Sequence, residues 1–179
     1  MRRAALAGTL LLLAACGGGG GSGTKLDEGP AAAGFRFTGA TELAEGKPID
    51  ARFTCDGADV APALVWSGVP GDARQLALAF EDPDAPGGTF THWLVYGLDP
   101  KLTHIPGDPR ARAGENDFGR TGYGGPCPPE GHEHEYVLRL LALDAPIELE
   151  AGADREAFDD AVAPHVIAEA RLTAPYQRG

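Results

Sequence analysis

Short stretches of alternating apolar and polar residues, each closed by glycine or proline, constrain the fold of this chain more than any other feature. The longest of them are QLALAFED, FTHWLVYGL and EYVLRLLALD. The sequences that separate them, such as DAPGG, IPGDP and YGGPCPPEG, are typical of turns. This spacing predicts a mainly β fold, an antiparallel β-sandwich, rather than a series of β-α-β units.

The pattern changes near the C-terminus. The segment ADREAFDDAVAPHVIAEA predicts a helix, with Asp154 as its N-cap and acidic residues in its first turn. Pro164 is expected to break or kink this segment, which gives one or two short C-terminal helices. ARLTAPY is then expected to return as a last strand, and the earlier stretch IDARFTC alternates in the same way as the predicted strands.

Alternation also predicts which polar side chains meet, because residues two apart on a strand share a face. Each of the three longest strands has a leucine-rich face with a polar group toward one end. On this reasoning His92 shares a face with Leu94, Tyr96 and Leu98. If the three faces look into one core, four polar residues gather at one lip of the sandwich: Asp82, His92, His134 and Tyr136.

The N-terminal part of the chain is typical of an export signal. Arg2 and Arg3 precede the apolar run AALAGTLLLLAAC, which is short for a membrane span and ends in small residues before Cys16. This pattern resembles a bacterial lipoprotein signal, in which residues 1–15 are removed and Cys16 carries the lipid. An ordinary secretory peptide with an incidental Cys16 is the alternative.

The predicted organisation has three parts: a signal peptide at 1–15, a glycine-rich tether at 16–34 and one domain at 35–179. The expected location is the bacterial cell envelope, where the domain faces the periplasm or the exterior. Removal of residues 1–15 takes away two arginines and no acids, so the formal charge moves from -11 to -13. A domain this acidic is a poor partner for nucleic acid or anionic lipid, so its membrane attachment is expected through the lipid alone.

Two cysteines remain once Cys16 is assigned to the lipid. Cys55 and Cys127 form an even pair in an exported domain, which favours a disulfide, although two buried thiols are an alternative. The bridge would close a loop of about 70 residues and contribute about 4 kcal/mol by loop entropy.

Two sequence blocks carry a family resemblance. DPDAP followed by HW, and GYGGPCPPEG followed by HEY, resemble the phosphatidylethanolamine-binding protein family, and most of all its bacterial Raf-kinase-inhibitor-like branch. The resemblance extends from about Phe35 to about Tyr176. It implies a β-sandwich with a small pocket for phosphate-like anions.

The resemblance also implies which residues form that pocket. The first block contributes Asp82, Asp84, Pro86 and His92. The second contributes Pro128 in a Pro-Pro wall, then His134 and Tyr136. One departure is Glu135, because the family commonly has arginine between the histidine and the tyrosine. We therefore expect weaker phosphate binding than the family pattern implies.

The sequence predicts a lipid-anchored binding protein for a small anionic ligand or phosphorylated head group. The family resemblance also implies a role as a modulator of a partner enzyme. One alternative is a hydrolase or metal-dependent enzyme that uses the same Asp and His residues. Another is a protein-interaction module with a vestigial pocket. No phosphate loop or dinucleotide fingerprint is present, and we predict no cofactor, no bound metal and no catalytic residue. The oligomeric state stays open.

Overall fold

The computed structural model describes residues 28–39, 41–105 and 111–179. The predicted signal peptide, Cys16 and most of the predicted tether lie outside these residues. Within the described ranges, no helix is long and apolar enough to cross a membrane.

The described part of the chain folds as two facing antiparallel sheets with one short α-helix. Its strands, in chain order, are β1 (Arg36–Phe37), β2 (Leu64–Ser67), β3 (Gln75–Asp82), β4 (Phe90–Leu98), β5 (His104–Ile105), β6 (Arg112–Ala113), β7 (Glu115–Asn116), β8 (Arg120–Thr121), β9 (Glu133–Leu143) and β10 (Val166–Gln177). The helix α1 spans Arg155–Val162. The large sheet has the order β10-β9-β3-β4-β6, the small sheet has the order β1-β2-β5, and β7 pairs with β8.

The main core lies between the two sheets. Trp66 of β2 packs in one apolar cluster with Leu78 and Phe80 of β3 and with Leu138 of β9. The aligned inner faces of the two sheets bury these side chains from both directions. The predicted β-sandwich class is confirmed.

A second core lies on the other face of the large sheet. Phe158 and Val162 of α1 pack there with Ala77 of β3 and Leu141 of β9. Because β3 and β9 are central strands with cover on both faces, nearly all their residues are buried. The N-cap prediction for α1 is also confirmed, since the Asp154 side chain accepts a hydrogen bond from Ala157 N at 2.9 Å.

Strand β4 does not follow simple alternation. Between the pairs Phe80–Trp93 and Glu81–Thr91, β4 contains one additional residue, His92. Such a register shift is typical of a β-bulge, which re-aims a side chain. The His92 ring therefore lies on the main-core side, with its centroid 5.6 Å from that of Phe80.

A second register shift occurs farther along β4, near Gly97, whose φ is 78°. Between the two shifts, Leu94 and Tyr96 face α1 and the second core, whereas Leu98 returns to the main core. The prediction that His92, Leu94, Tyr96 and Leu98 share a face is thus wrong, because two bulges interrupt the period of two.

Two other local predictions are also wrong. The segment Ala51–Phe53 is a single turn of 3-10 helix capped by Asp50, not a strand. Residues 166–170, predicted as the continuation of the C-terminal helix, begin β10 instead. The backbone leaves α1 through a 3-10 turn that contains Pro164, and the apolar side chains beyond it are buried by pairing with β9.

Residues 28–31, which belong to the segment predicted as a tether, lie along the outer edge of β10. Ala31 forms a parallel bridge with Glu169, and Glu169 N donates to Pro30 O at 2.9 Å. Gly29 N donates to the Glu169 carboxylate at 2.6 Å. The chain therefore joins the edge of the large sheet before it enters β1.

Candidate functional site

A cavity of about 440 Å³ opens where β3 ends and β4 and β9 begin. We call it the strand-end cavity. One side is formed by the end of β3, the connection to β4 and the start of β4, through Asp82, Ala85, Pro86, Phe90 and His92. The other side is formed by Phe118, Cys127, Pro128, Pro129, His134 and Arg178.

Asp82 organises the buried end of this cavity. Its side chain is buried, and its Oδ2 accepts a hydrogen bond from His134 Nδ1 at 2.8 Å. Its other oxygen, Oδ1, accepts a hydrogen bond from Asp84 N at 2.9 Å. The carboxylate thus fixes both the tautomer of His134 and the start of the proline-containing loop.

His92 is held in a matching way from the other side. Its Nδ1 lies 2.7 Å from Gly124 O, so this nitrogen carries the proton and donates it. The ring is 2% exposed, and this burial lowers the pKa of His92 below its ordinary value of 6.5. The Gly124 carbonyl and the charge of Asp82 oppose the shift without reversing it. Neutral His92 therefore has only Nε2 left for a ligand, as an acceptor.

Tyr136 lies behind the two histidines. Its ring centroid is 5.3 Å from that of His92, and the residue is fully buried. Burial first, and then the nearby charge of Asp82, raises the pKa of Tyr136 well above its ordinary value. Asp82 and the Cys127 backbone lie close enough to influence this pKa, but among the described residues none has hydrogen-bond geometry with the Tyr136 hydroxyl. A buried hydroxyl without a partner is uncommon, and water or a ligand normally satisfies such a group.

Asp84 has a different place from the one predicted. It is exposed and does not line the cavity; its Oδ2 accepts a hydrogen bond from Glu135 N at 2.9 Å. This contact ties the loop after β3 to the start of β9. Glu135 is itself exposed, and its carboxylate is not part of the cavity lining.

The predicted disulfide is present. Cys55 and Cys127 are joined with an S–S distance of 2.05 Å, across a sequence separation of 72 residues. Because Cys127 lines the strand-end cavity, the bridge fastens one cavity wall to the 3-10 turn at Ala51–Phe53. Cys55 N also donates to Pro126 O at 3.1 Å.

Sequence reasoning missed four residues of the cavity lining: Ala85, Phe90, Phe118 and Arg178. Phe90 and Phe118 form an edge-to-face pair with centroids 4.8 Å apart, and Phe118 is 43% exposed at the rim. Alternation places Arg178 on the same strand face as Tyr176, which pairs with His134 of the cavity. No signal in the sequence brings Phe118, in the β7–β8 turn, to this site.

A larger groove of about 1010 Å³ lies at the opposite end of the large sheet. Its walls include charged residues of both signs, such as Arg74, Lys101 and Glu148. It contains neither of the buried histidines, so we take the smaller strand-end cavity as the candidate functional site. Within the described ranges, no group of three or more His, Cys, Asp or Glu side chains has the arrangement of a metal site.

Comparisons with known proteins agree on one family. The family model described as phosphatidylethanolamine-binding protein matches residues 39–177. A UPF0098 protein of Methanothermobacter thermautotrophicus is 45% identical over 139 residues, which is 73% of this chain and 91% of the relative. LppC of Mycobacterium tuberculosis, provisionally described as a lipoprotein, is 40% identical over 154 residues, 83% of this chain and 76% of LppC.

Two solved structures have the same fold. One is CT736 of Chlamydia trachomatis, described as a homologue of the same family, with a TM-score of 0.75 and 33% identity over 83% of this chain and all of that one. The other is YbcL of Escherichia coli, described as a new member of the mammalian PEBP family. It has a TM-score of 0.77 and 30% identity over 82% of this chain and all of its own.

Proposed function

The chain belongs to the phosphatidylethanolamine-binding protein family, and on that premise we propose that it is an exported, lipid-anchored binding protein. Its ligand is a small anion or the phosphorylated end of a larger molecule, held in the strand-end cavity. A partner enzyme stays a prediction from the family resemblance.

Two lines of support favour the lipid anchor. The sequence before Cys16 resembles a lipoprotein signal, and LppC, whose description assigns it provisionally to the lipoproteins, is 40% identical to this chain. The disulfide is consistent with export, because such bonds persist in oxidising compartments.

The observation that carries the ligand proposal is the state of the two buried histidines. His92 uses Nδ1 for Gly124 O and His134 uses Nδ1 for Asp82, so within the described part of the chain only Nε2 of each ring is left for a ligand. Both rings line the same cavity. Protonation of either ring converts its Nε2 into a charged donor for an oxyanion. The hydrogen bond that the ring makes through Nδ1 is kept.

The apolar side of the cavity favours an organic ligand. Pro86, Phe90 and Phe118 face a carbon-containing part of the ligand rather than its charge. Because Phe118 is partly exposed at the rim, an apolar substituent on a phosphate can lie against it on the way out to solvent.

The test is a histidine-resolved NMR titration with inorganic phosphate. The chain has five histidines, so His104, His132 and His165 serve as internal controls outside the cavity. We expect saturable shifts of the ring resonances of His92 and His134 only. Absence of a response, or equal responses from all five rings, would remove the proposal.

A Tyr136→Phe variant sharpens this test. The hydroxyl has no described partner, so its removal should leave the free energy of unfolding unchanged or higher by about 1 kcal/mol. If the hydroxyl donates to the bound anion, phosphate affinity should fall about 5-fold in the same variant. Equal phosphate affinity in both proteins would exclude Tyr136 from the ligand contacts.

A further inference from the structure

Arg178 follows the last residue of β10 and lies at the strand-end cavity. In the β10–β9 register, Tyr176 is directly opposite His134. Residues two apart on a strand share a face, so Arg178 continues the face on which His134 lies. Among the described residues, Arg178 is the single lysine or arginine in the lining of this cavity.

The side chain of Arg178 is held by a chain of hydrogen bonds. Its Nε donates to Asp56 Oδ1 at 3.0 Å. Asp56 Oδ2 accepts a hydrogen bond from the Tyr176 hydroxyl at 2.7 Å, and that hydroxyl accepts one from Thr54 Oγ1 at 3.0 Å. The hydrogen bond from Tyr176, more than any other interaction, lowers the pKa of Asp56, so this carboxylate stays charged.

The backbone around Arg178 is held as well. Gly131 N donates to Arg178 O at 3.1 Å, and Gln177 Nε2 donates to Gly131 O at 3.2 Å. Asp56 follows Cys55, whose disulfide partner Cys127 lines the cavity. The guanidinium is thus positioned before any ligand arrives, which reduces the ordering cost of binding.

Asp56 occupies only the Nε side of the guanidinium. In the described part of the chain, no residue bonds to its Nη1 or Nη2, and the side chain is 30% exposed. Four N–H donors are therefore available on a planar group that matches two oxygens of a phosphoryl or carboxylate group. The buried histidines cannot replace this charge when neutral, and Asp82 repels an anion.

We propose that Arg178 is a ligand-binding residue whose Nη groups bind two oxygens of an oxyanion in the strand-end cavity, with Asp56 as its positioning residue. The inference rests on the proposed anion-binding function. The ligand class is a phosphoryl-bearing molecule, either free or as a phospholipid head group.

The experiment measures affinity by calorimetry for inorganic phosphate and for glycerophosphoethanolamine, a soluble head group. Arg178→Gln should weaken binding roughly tenfold, since a charge-assisted pair is lost. Arg178→Lys keeps the charge but not the fork, and should lose part of that affinity. Arg171→Gln is the matched control. Arg171 lies on β10 and pairs with Glu28, so this substitution removes the same charge at a position away from the cavity.

Asp56→Asn tests the positioning role. It should weaken binding less than Arg178→Gln does. The double variant should bind the ligand with the same affinity as Arg178→Gln alone, because Asp56 acts only through Arg178. A loss of affinity for either ligand in Arg178→Gln supports the inference. The ligand that shows the loss tells whether Arg178 binds free phosphate or a phospholipid head group.

The contrary outcomes are separable. If wild-type protein binds phosphate through His92 and His134 but Arg178→Gln has equal affinity, the role of Arg178 is wrong and the proposed function stands. An equal loss of affinity in Arg171→Gln would mean that the effect comes from the net charge of the protein. That result would also overturn the inference. If wild-type protein binds neither ligand, the proposed function itself fails.

Discussion

At the scale of single residues, burial decides what His92 can do. Its ring is packed among Phe80, Phe90 and Tyr136, and its Nδ1 proton is committed to Gly124 O. The sequence predicted a ligand-binding histidine here. The structure adds that this histidine is neutral until something in the cavity favours its charged form.

The lowered pKa of His92 gives a prediction with a definite sign. The unfolded chain binds a proton at His92 with an ordinary pKa of 6.5, whereas the folded chain binds it only at lower pH. The free energy of unfolding should therefore fall as pH decreases below about 6.5, by at most about 1.4 kcal/mol per pH unit from this group. Urea unfolding between pH 7.5 and 5.5, above the range where most carboxylates titrate, measures the slope.

The matched variant is His92→Asn, which keeps an amide donor for Gly124 O and has no titrating group. Its stability should depend less steeply on pH over that range than that of the wild type. Parallel curves for the two proteins would contradict neutral burial of His92.

At the scale of elements, α1 contributes stability without contributing to the cavity. The Asp154 cap satisfies Ala157 N, and Phe158 anchors the helix on the second core. The helix covers the face of the large sheet opposite to the main core. Changes in its first turn should therefore affect unfolding and leave ligand binding intact.

Asp154→Ala should lower the free energy of unfolding by about 1 kcal/mol, because a helix N–H loses its partner. The control is Asp160→Ala, an exposed residue in the last turn of the same helix. An acid near a helix C-terminus is unfavourable, so this change should be neutral or slightly stabilising. Denaturant unfolding of both variants measures the difference, and equal losses would contradict the role of the cap.

At the scale of the whole molecule, the disulfide joins distant parts of the chain at the cavity. Cys55→Ser with Cys127→Ser should lower the free energy of unfolding by about 4 kcal/mol, since the unfolded chain regains the entropy of a long loop. Chemical unfolding of the oxidised protein and the double variant measures this. Cys16→Ser, which leaves the bridge intact, is the control and should match the wild type.

Substitutions of the cysteines also test the predicted anchor. Cys16→Ala should release the full-length protein from membranes, because the acidic domain has little attraction for anionic lipid. The double variant at Cys55 and Cys127 should stay in the membrane fraction. Fractionation followed by immunodetection decides, and membrane retention of Cys16→Ala would contradict the lipoprotein prediction.

Much of the fold could be predicted because its signals are local. β9 has an uninterrupted period of two, so the shared face of His134, Tyr136 and Leu138 followed directly from the sequence. The Asp154 cap needed only neighbouring residues. The His92 ring lies beside Asp82 and His134 in the cavity, although the alternation argument for it was wrong. A bulge in β4 directs the ring toward the main core.

The sequence by itself determined the strand-rich composition, the turns between strands, the start of α1 and the pair of cysteines available for a bridge. These depend on backbone preferences and side-chain periods within a few residues. Only the tertiary structure decided that Asp84 ties a loop instead of lining the cavity, that Phe118 lies at its rim and that Asp56 holds Arg178 across 122 residues. The physical reason is that such contacts depend on strand register, bulges and the packing of the two sheets, which no local pattern specifies.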